Sequence, residues 1–209
     1  MNLALFDFDG TITNQDTYTE FLFFATPKPR LIIGGIITSP VILLYKLGLL
    51  PASKTRPILS KVAFWQRSIH QVETQAERFV SDYLPQVMRA NALEKIEWHK
   101  QRGDEIYVVS ASLSPYLDIW CQQQGIKVVC SRLSQRNQHY TGRYLNGDCS
   151  LENKVRLLKE QLDISQYKKI YAYGDTYEDL PMLDIANEKY FCWSKIDNTE
   201  HLKLATRNG

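Results

Sequence analysis

Cysteine is scarce in this 209-residue sequence: Cys121, Cys130, Cys149 and Cys192 form no C-x-x-C pair, and no histidine stands at zinc-ligand spacing from them. That argues against a disulfide scaffold and a structural zinc site, and fits reduced thiols in a cytoplasmic protein. Charge of one sign is also lacking. The formal net charge is +2 and the lysines and arginines are scattered, so no nucleic-acid partner is expected. No secretory leader is visible, because the first apolar run, from Leu3 to Phe8, is short and contains Asp7. Internal repeats and low-complexity tracts are absent as well. What is present is 44% apolar and 23% charged, which suits one large domain or one domain carrying a smaller insert.

Short apolar runs that end in polar residues set the architecture. Leu3 to Phe6 leads into Asp7-Phe8-Asp9-Gly10-Thr11, and Asp104 to Val109 leads into Ser110-Ala111-Ser112. Ile126 to Cys130 is a third run, Lys168 to Tyr173 ends in Gly174-Asp175, and Lys189 to Trp193 is a fifth. Continuous apolar runs bounded by turn residues predict buried parallel strands. Helical patterns alternate with them. Leu93 and Ile96 lie on a helix ending near Gly103, Ser114-Pro115 opens another, and Leu151, Val155, Leu158 and Leu162 share one face. The alternation predicts an α/β fold with a doubly wound, Rossmann-like parallel sheet. Tyr140 to Leu145, followed by Asn146-Gly147, predicts a small hairpin beside it. Residues 16–89 break the rhythm. Ile69, Val72, Ala76, Phe79, Val80 and Tyr83 recur at helical spacing and no strand is evident. The expected organisation is a core of residues 1–15 and 90–209 with a helical cap, 16–89, inserted between the first strand and the rest. The tail from Asn198 to Gly209 is polar and expected to fray.

In an open α/β sheet, ligands bind beyond the carboxyl ends of the strands. Those ends here deliver Asp7 and Asp9, Ser110, and Asp175 with Asp179 four residues on; Lys154 lies at the start of the preceding helix. Four carboxylates around one lysine call for a cation, and an all-oxygen set favours Mg²⁺. The parts suit phosphoryl transfer: Asp7 as nucleophile, Asp9 as acid and base, Ser110 and Lys154 holding phosphate oxygens, Asp175 and Asp179 holding or supporting the metal. Each residue alone has an ordinary explanation. Asp-x-Asp-Gly serves as a turn, Asp179 suits a first helical turn, and Lys154 alone is a solvated lysine. The pattern argues against a calcium loop, because its fifth and sixth positions would be Thr11 and Ile12 and its twelfth Tyr18. Their joint occurrence, in this order, carries the assignment.

These residues resemble the haloacid dehalogenase-like hydrolase superfamily. Asp7-Phe8-Asp9-Gly10-Thr11 looks like its first motif, Val108-Val109-Ser110-Ala111-Ser112 its second, Lys154 its third and Gly174-Asp175 through Asp179 its fourth. The resemblance implies Asp7 as nucleophile, Asp9 as acid and base whose backbone carbonyl also meets the metal, and substrate contacts from Ser110, Ala111 and Lys154. A cap between the first two motifs resembles the phosphoserine-phosphatase-like subfamily IB, a branch that includes phosphoserine phosphatases and phosphatidylglycerophosphatases. In the former an acid nine positions after the nucleophile meets the substrate amine; Asp16 stands there, where Glu is usual.

One stretch resists that frame. Leu31 to Leu50 carries a single charge, Lys46, and is long enough to cross a bilayer. A single crossing would put Asp7 and Ser110 on opposite sides of the membrane. Gly34, Gly35 and Pro40 suggest broken helices. Two expectations remain: a buried helix pair in the cap, slightly favoured, or a segment that dips into lipid, with Arg30, Lys46, Lys54 and Arg56 beside it meeting anionic headgroups. The expected activity is hydrolysis of a phosphate monoester, from a small metabolite or a lipid phosphate such as phosphatidylglycerophosphate at the inner face of the membrane. Transfer to an alcohol, and a non-enzymatic phospho-accepting or membrane-binding role, are the alternatives.

Overall fold

The computed structural model describes residues 1–207, with side chains as far as residue 203. In chain order the elements are β1 (Leu3–Phe6), α1 (Thr17–Ala25), α2 (Lys28–Lys46), α3 (Ala52–Phe64), β2 (Arg67–Ser68), α4 (Ile69–Arg78), α5 (Leu84–Val87), α6 (Ala90–Gln101), β3 (Glu105–Leu113), α7 (Ser114–Gln124), β4 (Lys127–Ser131), β5 (Leu133–Arg136), β6 (His139–Tyr144), α8 (Glu152–Gln161), β7 (Ile170–Gly174), α9 (Leu180–Asp184), β8 (Glu188–Phe191), β9 (Ser194–Ile196) and α10 (Glu200–Arg207).

The central sheet runs β4-β3-β1-β7-β8-β9, parallel except for β9 at the edge. Alternation along β1 explains its place in the middle. Leu3 and Leu5 join one buried cluster with Tyr107, Val109, Leu158 and Met182, while Ala4 and Phe6 join another with Val108, Tyr116 and Tyr173. Both faces of the sheet are therefore covered, as a parallel sheet requires.

Several elements differ from the sequence expectation, each for a local reason. The second apolar run does not stop at Val109; β3 continues to Leu113, with a register shift between Ser110 and Leu113. The hairpin pairs β6 with β5 before it, turning at Asn137 and Gln138, both at positive φ, and not at Asn146-Gly147. The inserted segment does hold a strand. β2 is two residues long, too short for a periodicity signal, and pairs with β6 to complete a three-stranded sheet. The helical run from Ile69 widens into a π-helical turn over Phe79–Tyr83 before α5. The tail from Asn198 does not fray through its described part. Thr199 Oγ1 donates to Asp184 ahead of α10; Asn208 and Gly209 lie outside the described residues.

The apolar stretch departs most. α2 is one continuous helix through Gly34, Gly35 and Pro40. Pro40 removes the N–H that would bond the Ile36 carbonyl, and Ser39 Oγ donates to that carbonyl instead, at 2.8 Å. Gly34 lets α3 approach, since a Cβ there would come 2.7 Å from Val62. The stretch is not a buried cap core: only 11% of its apolar window is buried.

Candidate active site

The carboxyl ends of β1, β3 and β7 lie side by side, and the side chains they carry converge there. Asp7 follows β1, its N–H donating to the Tyr173 carbonyl at 2.9 Å. Ser110 lies on β3 opposite Cys130 of β4. Asp175 follows β7. Lys154 comes from α8, whose first turn is set by Leu151 at φ +52° and ψ −136°, a backbone region that costs a side-chain-bearing residue roughly 1–3 kcal/mol. The Leu151 N–H donates to the Glu178 carbonyl at 3.0 Å, holding that turn against the Asp175 loop.

Lys154 is buried and spends all three of its N–H bonds. Nζ donates to Asp7 Oδ1 and to Asp179 Oδ1, each at 2.5 Å, and to the Val109 carbonyl at 2.9 Å. Asp179 is anchored through its other oxygen by the N–H groups of Asp175 and Thr176, both at 3.0 Å. Asp175 Oδ1 accepts from Thr11 Oγ1 at 3.1 Å. The backbone comes very close at Gly10, at φ +78°, where a Cβ would fall 2.0 Å from Asp175 Oδ2. Only glycine fits that crossing.

One lysine does not balance the surrounding carboxylates. Burial, and then the Asp179 charge, hold Asp7 well above the usual carboxylate range, although Lys154 pulls it down. Burial and Asp179 also raise Asp175. Asp7, Asp175 and Asp179 each offer a carboxylate oxygen within 4.8 Å of the others. Hard oxygen donors crowded with excess negative charge suit a divalent cation of the Mg²⁺ type.

Asp9 is separated from this cluster in its bonding. Oδ1 accepts from the Thr17 N–H at 2.9 Å and from Thr17 Oγ1, while Oδ2 accepts from Ser112 Oγ. Thr17 Oγ1 in turn meets the Tyr116 hydroxyl at 2.9 Å. Burial and the nearby Asp16 charge lift the Asp9 carboxyl to about 6, against the pull of those hydrogen bonds. Two carboxylates two residues apart thus sit in different surroundings, the condition that separates a nucleophile from an acid and base.

A cavity of about 860 Å³ opens from these groups. Asp7, Asp9, Ser110, Ala111, Lys154, Asp175 and Asp179 line its floor, all of them expected from sequence. An apolar arm continues between α1, α2 and α3 past Leu22, Leu31, Ile42, Leu59 and Ala63. Thr26 lines it too, and its buried Oγ1 has no partner among the described residues. Asp16 stands at the rim and caps α1, accepting from the Thr19 N–H at 3.1 Å and Thr19 Oγ1 at 2.6 Å. It meets neither Lys154 nor Ser110 by a hydrogen bond.

Other groups that shape the site were not read as site residues from sequence, and Arg56, expected to meet anionic headgroups, is turned to the core instead. Arg89 Nε donates to the Gly10 and Thr13 carbonyls, both at 3.0 Å, bracing the loop after Asp9. Arg56 of α3 binds both oxygens of Asp148 at 2.8 Å and both of Glu178 at 3.0 and 2.9 Å, tying the cap to the core across the cavity. Thr17 and Ser112 escaped notice because their link to Asp9 spans 8 and 103 residues.

A three-layer fold, a lysine held between acids and an Asp-x-Asp loop under a helical cap together define a hydrolase of one superfamily. The chain belongs to the haloacid dehalogenase-like hydrolase family, whose model matches residues 4–184. It is 28% identical over 195 residues to Protein CicA of Caulobacter vibrioides (strain NA1000 / CB15N), covering 90% of this chain and 84% of that one. It is 24% identical to the histidinol-phosphatase of Neisseria meningitidis serogroup C (strain 8013), covering 90% and 88%. Among solved structures it is similar to a protein of unknown function from Bordetella pertussis Tohama I, with TM-score 0.76, 19% identity and coverage of 99% and 95%. A substrate-bound phosphoserine phosphatase superimposes with TM-score 0.65, 21% identity and coverage of 91% and 85%. At those identities the likeness is one of fold.

Proposed function

We propose that the protein is a Mg²⁺-dependent phosphatase that hydrolyses a phosphate monoester through an aspartyl-phosphate on Asp7. The observation that carries this reading is the division of labour between Asp7 and Asp9. Asp7 sits in the charged cluster with Oδ2 free of hydrogen bonds among the described residues, whereas Asp9 is held apart by Thr17 and Ser112 with its carboxyl lifted to about 6. The histidinol-phosphatase relative and the phosphoserine phosphatase fold support the same reaction class.

Asp7 attacks phosphorus, the bond to the ester oxygen breaks, and that oxygen takes a proton from Asp9. Asp9, now a carboxylate, removes a proton from water as the water attacks phosphorus. The bond to Asp7 breaks and inorganic phosphate leaves. Ser110 holds a phosphate oxygen during both steps, and Lys154 exchanges its bond to Asp7 for one to a phosphate oxygen as the substrate arrives. Asp7 and Asp175, with Asp179 directly or through water and the Asp9 carbonyl, would hold the cation, which supplies positive charge that keeps Asp7 ionised and offsets the phosphate's own. Transfer to an alcohol would need only an acceptor in place of water, and product analysis with added alcohols separates the two. A purely phospho-accepting role fits poorly with an acid and base positioned to hasten dephosphorylation. The compartment we infer is the cytoplasm.

The apolar arm of the cavity favours a second, finer reading, in which the phosphate belongs to a molecule with an apolar body, such as a lipid phosphate. The test of the reaction is Asp7→Asn assayed with Mg²⁺ against a panel of phosphate monoesters, with and without micelles of phosphatidylglycerophosphate. Turnover falls by about four orders of magnitude or more if Asp7 is the nucleophile. Substantial residual activity would remove Asp7 from that role. Phosphate release from the micellar lipid supports the apolar substrate, and release from soluble esters alone rejects it.

A further inference from the structure

We propose that the outer face of α2 and the turn into α3 form a docking surface for an anionic lipid bilayer. The face is apolar where a soluble protein is normally polar. Ile33, Ile36, Leu44 and Leu47 recur at helical spacing along it, and Ile36 is 71% exposed. Leu49, 70% exposed, stands at the tip of the turn beside Gly48 at φ +71°. Tyr45 and Trp65, half-exposed near the two ends of the hairpin, are residue types that favour the boundary between hydrocarbon and water. Contiguous apolar surface of this extent on one element marks something that covers it.

Charge decides what covers it. Between Glu20 and Glu73 the chain contains no Asp or Glu, yet it carries seven Lys or Arg, in a protein whose net charge is only +2. Lys28, Lys46 and Lys54 are exposed and make no ion pair among the described residues, and Arg30 donates only to the Trp65 carbonyl, at 2.6 Å. A second copy of this chain seated on the face would bring like charges together with no acid to answer them, which disfavours association. Arg56 is already paired with Asp148 and Glu178, and Arg67 is buried against the Ala25 carbonyl; an anionic headgroup layer answers the exposed Lys28, Lys46 and Lys54, each basic residue near such a surface adding to binding.

The hairpin lies along the surface and does not cross the bilayer. Both ends of α2 return to one body: Arg30 is tied to the end of α3, Gly34 packs on Val62, and α3 buries Ser60, Ala63 and Phe64 against the rest of the protein while Arg56 binds Asp148 and Glu178. The inner side of α2, through Thr38 and Ile42, lines the apolar arm of the cavity. One helix thus separates the docking face from the site, and a molecule leaving the lipid layer would meet the arm first.

The test is co-sedimentation of the full chain with phosphatidylcholine vesicles, with and without phosphatidylglycerol, together with sedimentation velocity of the protein alone. Binding is read without turnover, so it stands apart from the phosphatase assignment. The expected result is binding to the anionic vesicles at low salt, loss at high salt, and little binding to phosphatidylcholine alone. Lys28→Gln with Lys54→Gln should weaken anionic binding roughly 25-fold. Ile36→Glu with Leu49→Glu should abolish it while leaving the hydrolysis of a soluble ester unchanged. Wild-type protein that stays in the supernatant with anionic vesicles overturns the proposal. So does binding that survives both sets of substitutions, or a dimer in solution that Ile36→Glu dissociates. If the glutamate variant fails to fold, the lysine variant and the salt series still decide.

Discussion

The floor of the cavity and the α2–α3 hairpin invert the usual distribution of residues in opposite senses. At the floor, the ionisable side chains of Asp7, Lys154 and Asp179 are buried; on the hairpin, Ile36 and Leu49 are apolar and exposed. Both arrangements act against stability on their own, and on the readings proposed above a cation would relieve the first and a lipid surface the second. The floor is rigidly held, with every Lys154 proton committed and Asp179 bonded from both sides. The hairpin is held along one side only. Substitutions should therefore be costly at the floor and cheap on the hairpin's outer face.

The largest effect on stability is expected at Lys154. Lys154→Ala leaves Asp7 and Asp179 buried without a counter-charge, which costs about 3–5 kcal/mol of stability, and turnover should fall by about 10³-fold. By contrast Ile36→Glu should change stability by no more than about 0.5 kcal/mol, as at other exposed sites. Equal losses by denaturant titration would end the distinction between the two regions.

A smaller effect of opposite sign is expected at Asp175. Asp175→Asn removes one of the mutually repelling acids, so the metal-free protein should melt higher by about 2–4 °C, the shift that 1 kcal/mol produces at this size. Mg²⁺ should raise the melting temperature of the wild type and not of the variant. Equal stabilisation of both by Mg²⁺ would take Asp175 out of the ligand set.

A further effect, on the pH dependence of stability, concerns a buried pair behind the sheet. His99 Nδ1 meets Asp104 Oδ2 at 2.8 Å and Nε2 meets the Tyr173 hydroxyl at 3.0 Å. Burial lowers the His99 pKa from its ordinary 6.5, although Asp104 pulls it up. The folded state then binds fewer protons than the unfolded chain below pH 6.5. The stability that His99 contributes is complete above that value and is lost as pH falls through it. Melting temperature should fall as the pH is lowered below 6.5, with a shallower slope in His99→Gln. Identical slopes in both proteins would exclude His99 as the source.

Legibility in sequence followed the range of the interactions. The inner strands β1, β3 and β7 were visible because each is buried on both faces and so reads as a continuous apolar run; β2 and β9, at two and three residues, were not. Asp7, Asp9, Ser110, Lys154, Asp175 and Asp179 were legible because strand ends and a following helix place them by local rules. The bonds that complete the site were not. Arg56 meets Asp148 and Glu178 across 92 and 122 residues, and nothing near any of the three announces the others. Asp16, singled out by its spacing from Asp7, does line the cavity, and both of its oxygens accept from Thr19 three residues on.

By itself the sequence determined the α/β architecture, the insertion after the first strand and the acids gathered beyond the sheet, because hydrophobic periodicity and strand-end chemistry act over a few residues. Only the tertiary structure decided that Asp9 is cradled by Thr17 and Ser112, that Pro40 sits inside an unbroken helix, and that the most apolar stretch faces outward. Those outcomes depend on which surfaces meet, and a helix whose inner side is occupied by α3 and a cavity must leave its other side uncovered.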